Sequence, residues 1–147
     1  MPSMPSPAKA DLVDLQARIA RIERGGSADK EHPVLPLGLQ AIDATLPGGG
    51  LPAGVVHEVM GSAGGGFAAM LAGKSGGGAG AVLWCVMARS RAELYGPGLA
   101  AFGLDTRRLV IVRCANSQDM LWAMEEGLRD PGLAAVVGEP SKAVFLC

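Results

Sequence analysis

"HEVMGSAGGGFAAMLAGKSGGG", residues 57–78, is the stretch on which the reading of this chain turns. A short apolar run, "GVVHEVMG" at 54–61, enters a glycine loop, and helix-forming residues follow it. Strand, glycine turn and helix make the layout of a phosphate-binding loop, where successive backbone N–H groups and a helix N-terminus converge on an anion. Such a loop also needs a lysine for the outer phosphates and a Ser or Thr hydroxyl for magnesium. Gly61 and Gly66 have the separation of its framing glycines, with Ser62, Ala63, Gly64 and Gly65 between them. Phe67 and Ala68 stand where the lysine and the hydroxyl belong. Carbon side chains there can neither neutralise a γ-phosphate nor hold Mg²⁺, from which phosphoryl transfer draws most of its help. "GKS" at 73–75 does not repair the motif, because the "AMLA" before it reads as helix; Lys74 reads as a solvated loop lysine. The chain has the backbone half of a phosphate cradle and lacks the charged half. The motif demands no cofactor: a plain glycine turn is the leading reading, weak binding of a nucleotide such as ATP through the backbone is the alternative, and hydrolysis is not expected.

Outward from the loop, strands and helices alternate. "AVLWCVMA" at 81–88, "LVIVRC" at 109–114 and "LAAVVGE" at 133–139 are continuous apolar runs of strand length, as expected for strands buried on both faces. Phe67–Leu71 reads as helix, as does a short segment marked by Leu39, Ile42 and Leu46. "LYGPGLAAFGLDTRR" at 94–108 reads as a loop and a short helix. "SQDMLWAMEEGLRDPG" at 117–132 reads as a longer helix, with Ser117 as N-cap, Met120, Leu121, Met124 and Leu128 facing inward, and Pro131-Gly132 as its stop. This alternation predicts a three-layer α/β fold with a mostly parallel sheet and flanking helices. Glu139 ends a strand where a P-loop ATPase places a magnesium-linked or water-activating acid; the plainer reading is a surface acid. His57 reads as a strand residue at the sheet edge. Trp122 is either half-core or, if exposed, part of a contact surface.

Ahead of this core, "ADLVDLQARIARIER" at 10–24 repeats Leu12, Leu15, Ile19 and Ile22 at spacings of three and four. That is one apolar stripe on a helix, either packed on its own domain or offered to a partner, with Leu15 and Ile19 at its centre. The expected organisation is a disordered Pro/Ser-rich tail at 1–9, an amphipathic helix at 10–26, a linker at 27–34, a core at 35–139 and an atypical tail at 140–147.

Composition narrows the function classes. A net charge of −1 over 147 residues gives no global reason to bind nucleic acid, so DNA contact would be local or indirect. Three cysteines without a CxxC pair and two histidines in different contexts argue against a metal site. No apolar run reaches the roughly 20 residues that span a bilayer, and the N-terminus has no secretory core. A cytoplasmic location without membrane contact is the expectation.

Three segments carry a resemblance to a known family: "LPLGLQAIDATLPGGGLPAGVVHEVMG" at 35–61, "AVLWCVMARSRAELYGPGLAAFGLDTRRLVIVR" at 81–113 and "LWAMEEGLRDPGLAAVVGE" at 121–139. Together they resemble the ImuA family of bacterial mutagenesis-cassette proteins, relatives of RecA that also neighbour the SulA cell-division inhibitors. The resemblance implies a RecA-like, P-loop-type core and expression under DNA damage. It implies a non-catalytic accessory role in translesion synthesis, beside an ImuB-like protein, RecA and an error-prone DNA polymerase, with DNA reached indirectly. Gly61, Gly64, Gly65 and Gly66 match the family's phosphate-loop region, and Glu139 the acid of its Walker-B-like strand. Two alternatives remain open: a RecA-like ATP-binding repair protein using Gly61–Gly66, and a SulA-like cell-division inhibitor. The resemblance stops at Glu139, and the closing "PSKAVFLC" fits no further element. It reads as the tail of a frameshifted or truncated gene, leaving an incomplete core in which a buried strand becomes a sheet edge.

Overall fold

Four segments are described in the computed structural model: residues 9–23, 32–90, 94–140 and 143–147. Residues 1–8 of the expected 1–9 tail, the Gly25-Gly26 helix stop and most of the 27–34 linker lie outside them. Contacts divide the chain into two units, residues 1–32 and 33–147.

The first unit holds helix α1, Lys9–Glu23. Its Leu12, Leu15, Ile19 and Ile22 stripe is exposed along its length, from 46% at Ile19 to 77% at Ile22.

In the second unit, Val34–Leu35 (β1) and Leu51–Pro52 (β2) form a small antiparallel ribbon around a one-turn helix, Gln40–Asp43 (α2). The Asp43 carboxylate fixes this corner by accepting from the Leu37 and Gly38 N–H groups at 2.8 and 2.9 Å. The main sheet follows: His57–Met60 (β3), Ala81–Met87 (β4), Leu109–Cys114 (β5), Leu133–Glu139 (β6) and Ala143–Leu146 (β7). Helices Gly64–Lys74 (α3), Gly96–Ala101 (α4) and Ser117–Leu128 (α5) connect them. The strand order is β3-β7-β6-β4-β5, with β4 parallel to both neighbours and β7 antiparallel to β3 and β6. The sheet is mixed: four strands share a direction and β7 opposes them.

Alternation along the strands sorts two cores. Val82, Trp84 and Val86 of β4 join Ala68, Leu71 and Ala72 of α3 on one face. Leu83 and Cys85 meet Met120 and Met124 of α5 on the other. Burial, and then the neighbouring Cys114, push the Cys85 thiol from its ordinary 9.0 up to about 11. Its folded pKa is raised, so the thiol's contribution to stability is complete below pH 9. Between pH 9 and 11 the unfolded chain loses this proton and the folded chain keeps it, so stability falls. Urea midpoints measured across that window should drop for the wild type, and drop less for Cys85→Ala.

Four sequence expectations are corrected. "PSKAVFLC" supplies β7, a strand inside the sheet: Ala143–Leu146 pairs with His57–Met60 on one side and with β6 on the other. Three of its four residues are β-branched or aliphatic, and the slot between β3 and β6 gives both edges a hydrogen-bonded partner. The second correction concerns β5, which is an edge strand rather than a doubly buried one; Val110 and Ile111 are about half exposed, at 48% and 46%. Third, α5 is capped by Asn116, whose side chain accepts from the Asp119 N–H at 2.9 Å, and Ser117 is its first residue. The buried face of α5 is Met120, Met124 and Gly127, while Leu121 and Leu128 are exposed. Gly127 sets that rotation, because a Cβ there would lie 2.5 Å from Leu83 Cδ2: the glycine lets helix and sheet approach. Last, α3 runs beyond Leu71 through Gly73 to Lys74.

After α3 the chain makes a tight glycine turn, with Gly76 and Gly77 at φ values of 63° and 62° that favour glycine. Arg108 holds this turn. Its guanidinium donates to the carbonyls of Gly80 at 2.6 Å, Ala79 at 2.7 Å, Ser75 at 3.3 Å and Gly73 at 3.4 Å. Arg108→Ala leaves these carbonyls to solvent and should cost about 2 kcal/mol in chemical denaturation. Arg108→Lys should recover less than half of that, because a point donor cannot span a planar fan of acceptors.

Candidate functional site at the glycine turn

Strand β3 ends at Met60, and α3 begins only four residues later, at Gly64. The loop proper is therefore Gly61, Ser62 and Ala63, and Gly64–Gly66 form the first helical turn. Gly61 takes φ 121°, which reverses the chain at the strand end. The Gly64 N–H donates back to Gly61 O at 3.1 Å and the Phe67 N–H to Ala63 O at 3.0 Å, closing the turn. No side chain caps the helix, so the open amides of a helix start fall at Gly65 and Gly66.

Those two glycines face a cavity of about 210 Å³ that Trp84, Tyr95, Phe102 and Glu139 also line. The structure thus brings the glycine turn and the strand-end acid to one place. Glu139 is half-buried at the end of β6 and accepts from Trp84 Nε1 at 3.4 Å. Phe102 packs on the turn: a Cβ on Gly66 would lie 2.9 Å from its Cζ, so the ring rests against that backbone. On the ring's other side lies an open, mainly apolar groove of about 390 Å³, bordered by Ser62, Ala63, Gly66, Phe67, Met70 and Phe102. Ala68 is fully buried. Among the described residues lining either space there is no lysine or arginine. Lys74 borders a separate cavity of about 260 Å³ with His57 and Ser75, at the opposite end of the sheet. There His57 Nε2 lies 2.8 Å from Pro52 O.

The remaining candidates lie on α1 and α5. Leu15 and Ile19 belong to α1, and Trp122 is 65% exposed on α5 beside exposed Leu121. Tyr95 and Phe102 belong to the quoted segment at 94–108 but are not among the sequence's site candidates. They come from the segment around α4, and no motif spacing connects them to the glycine loop.

A strand, a short glycine turn and a helix, with an acid at the end of a second strand of the same mixed sheet, define an α/β domain whose glycine turn is bordered mainly by carbon. No family model matches the chain. It is 40% identical over 116 residues to Protein ImuA from Caulobacter vibrioides strain NA1000 / CB15N, and equally to that from strain ATCC 19089 / CIP 103742 / CB 15. The match takes in 73% of this chain and 46% of each relative, so the chain spans about half the length of the curated relatives it matches. The chain belongs to the ImuA family.

Proposed function

We propose that this chain is an accessory protein of DNA-damage-induced translesion synthesis and mutagenesis, built on a RecA-like core and acting through protein contacts rather than phosphoryl transfer. The observation that carries this reading is the chemistry around the turn. Carbon occupies both positions a nucleotide site reserves for an ammonium and a hydroxyl, with Ala68 buried in the core. Phe102 lies on Gly66, and the charged group in the cavity, Glu139, has the sign of a phosphate. Family membership supplies the pathway, and the exposed apolar residues of α1 and α5 supply surface for partners. An ImuB-like protein, RecA and an error-prone polymerase are the partners proposed. Pull-down of an ImuB-like protein tests the surfaces: Leu15→Asp or Trp122→Ala should reduce capture severalfold. Full capture by both variants would remove α1 and α5 as contact sites.

The shared cavity of Gly65, Gly66 and Glu139 favours a second reading, in which the backbone would bind ATP and Glu139 would supply the magnesium-linked or water-activating acid. Titration with a fluorescent ATP analogue separates the two. Saturable binding abolished by Gly66→Asp supports nucleotide binding, and a flat titration to millimolar concentration eliminates it.

A further inference from the structure

We propose that β5 is a self-pairing edge, through which two copies of this chain join their sheets antiparallel about a two-fold axis at Ile111. The two ends of the main sheet differ in chemistry. At one end, β3 carries Glu58, exposed mid-strand, the kind of charge that blunts an edge. At the other, Leu109 to Val112 are four consecutive uncharged apolar residues with β4 as their strand partner. Val110 is level with Leu83, on the α5 side, and Ile111 is level with Trp84, on the α3 side. Both are about half exposed, so the strand lies open on both faces. A further strand alongside would cover both at once, whereas a helix would cover one face only.

A second copy of β5 is the occupant this strand fits. With the two-fold axis perpendicular to the sheet, residues directly opposite one another must point to the same face. That condition allows only registers centred on a residue. Centred on Ile111, the isoleucines pair with each other, Val110 pairs with Val112 of the other copy, and Arg113 lies opposite Leu109. Every contact then joins carbon to carbon, or an arginine stem to leucine. Centring on Val110 instead pairs only Leu109 to Ile111, because Val112 and Arg113 would then lie opposite Arg108 and Arg107, in the helical turn that precedes the strand. Centring on Val112 sets Arg113 against Ile111 and loses the isoleucine pair. Strand length, the isoleucine pair and the pleat together select Ile111.

Sedimentation of the full chain at micromolar concentrations tests this, with circular dichroism as the check on folding. The wild type should be a dimer. Ile111→Lys puts two ammonium groups face to face on the axis and should weaken association about a hundredfold. Ile111→Glu should do the same by repulsion between carboxylates. Mixing these two folded variants should restore a dimer, because lysine then faces glutamate. That rescue depends on residue 111 meeting its own counterpart and on nothing else in the molecule. A wild type that stays monomeric overturns the proposal. So does a dimer that survives Ile111→Lys, or one abolished by Leu15→Asp in α1, or a mixture of the Lys and Glu variants that stays monomeric.

Discussion

Alanine at Trp84 is expected to remove about 3–5 kcal/mol of stability, enough to leave a domain of this size partly unfolded at room temperature. Trp84 is the largest of the fully buried side chains and stands mid-strand in β4, level with Val137 of β6 on one side and Ile111 of β5 on the other. Its ring fills the α3-side core, in which much of the helix surface comes from the small side chains Ala68, Ala69 and Ala72. Alanines cannot extend into a void, so little collapse will offset the cavity. Trp84→Phe separates packing from polarity. It keeps most of the ring volume and removes the indole N–H that reaches Glu139 Oε2 at 3.4 Å. That contact is long, and Glu139 is only half-buried, so its carboxylate can rehydrate. The lost hydrogen bond should therefore cost no more than about 1 kcal/mol. Urea unfolding followed by far-ultraviolet circular dichroism measures both variants without relying on tryptophan emission. A Trp84→Ala variant within about 1 kcal/mol of wild type would mean that the α3 face is not packed as described.

How much of this was legible beforehand depends on the residue. The strands at 81–88 and 133–139 were readable because an unbroken apolar run of that length has few other uses. The edge status of β5 was not, because "LVIVRC" looks the same whether its outer side meets another strand or water. The rotation of α5 was misread because leucines draw attention as core residues, while Gly127 supplies close approach without any apolar side chain. Strand β7 was missed for another reason. "AVFL" has strand chemistry, but four residues after a proline gain a strand's identity only from the slot between β3 and β6. At the site, the glycine turn and Glu139 could be read from spacing and strand position. Phe102 could not, because its meeting with Gly66 depends on how α4 folds back across α3.

Gly73 and Gly65 lie on the same helix and should answer the same substitution with opposite signs. Helix propensity alone predicts a gain of up to about 1 kcal/mol for alanine over glycine within a helix. At Gly65 nothing lies within 4 Å of the added Cβ, so Gly65→Ala should be neutral or stabilising by about 0.5 kcal/mol, less than the full propensity in a first turn. At Gly73 the Cβ would lie 2.5 Å from Gly103 O, 2.7 Å from Gly103 C and 3.0 Å from Leu104 N. All three are backbone atoms, and no rotamer change can move them. That backbone is itself fixed: the Gly103 N–H bonds to Ala100 O at 2.9 Å, the Leu104 N–H to Leu99 O at 3.1 Å, and the Leu104 side chain is fully buried. To make room, α3 must lift from the turn after α4 and loosen Leu104. Overpacking of that kind costs about 1–3 kcal/mol and, with loss of Leu104 packing, exceeds the propensity gain; a net loss of about 2 kcal/mol is expected for Gly73→Ala. The two sites are about 12 Å apart along the helix, so in a double variant the effects should add. A stabilised Gly73→Ala in the same urea series would show that α3 does not lie against the Gly103–Leu104 turn. The carbon-lined groove beside Gly66 depends on that contact, because the same turn that presses on Gly73 carries Phe102.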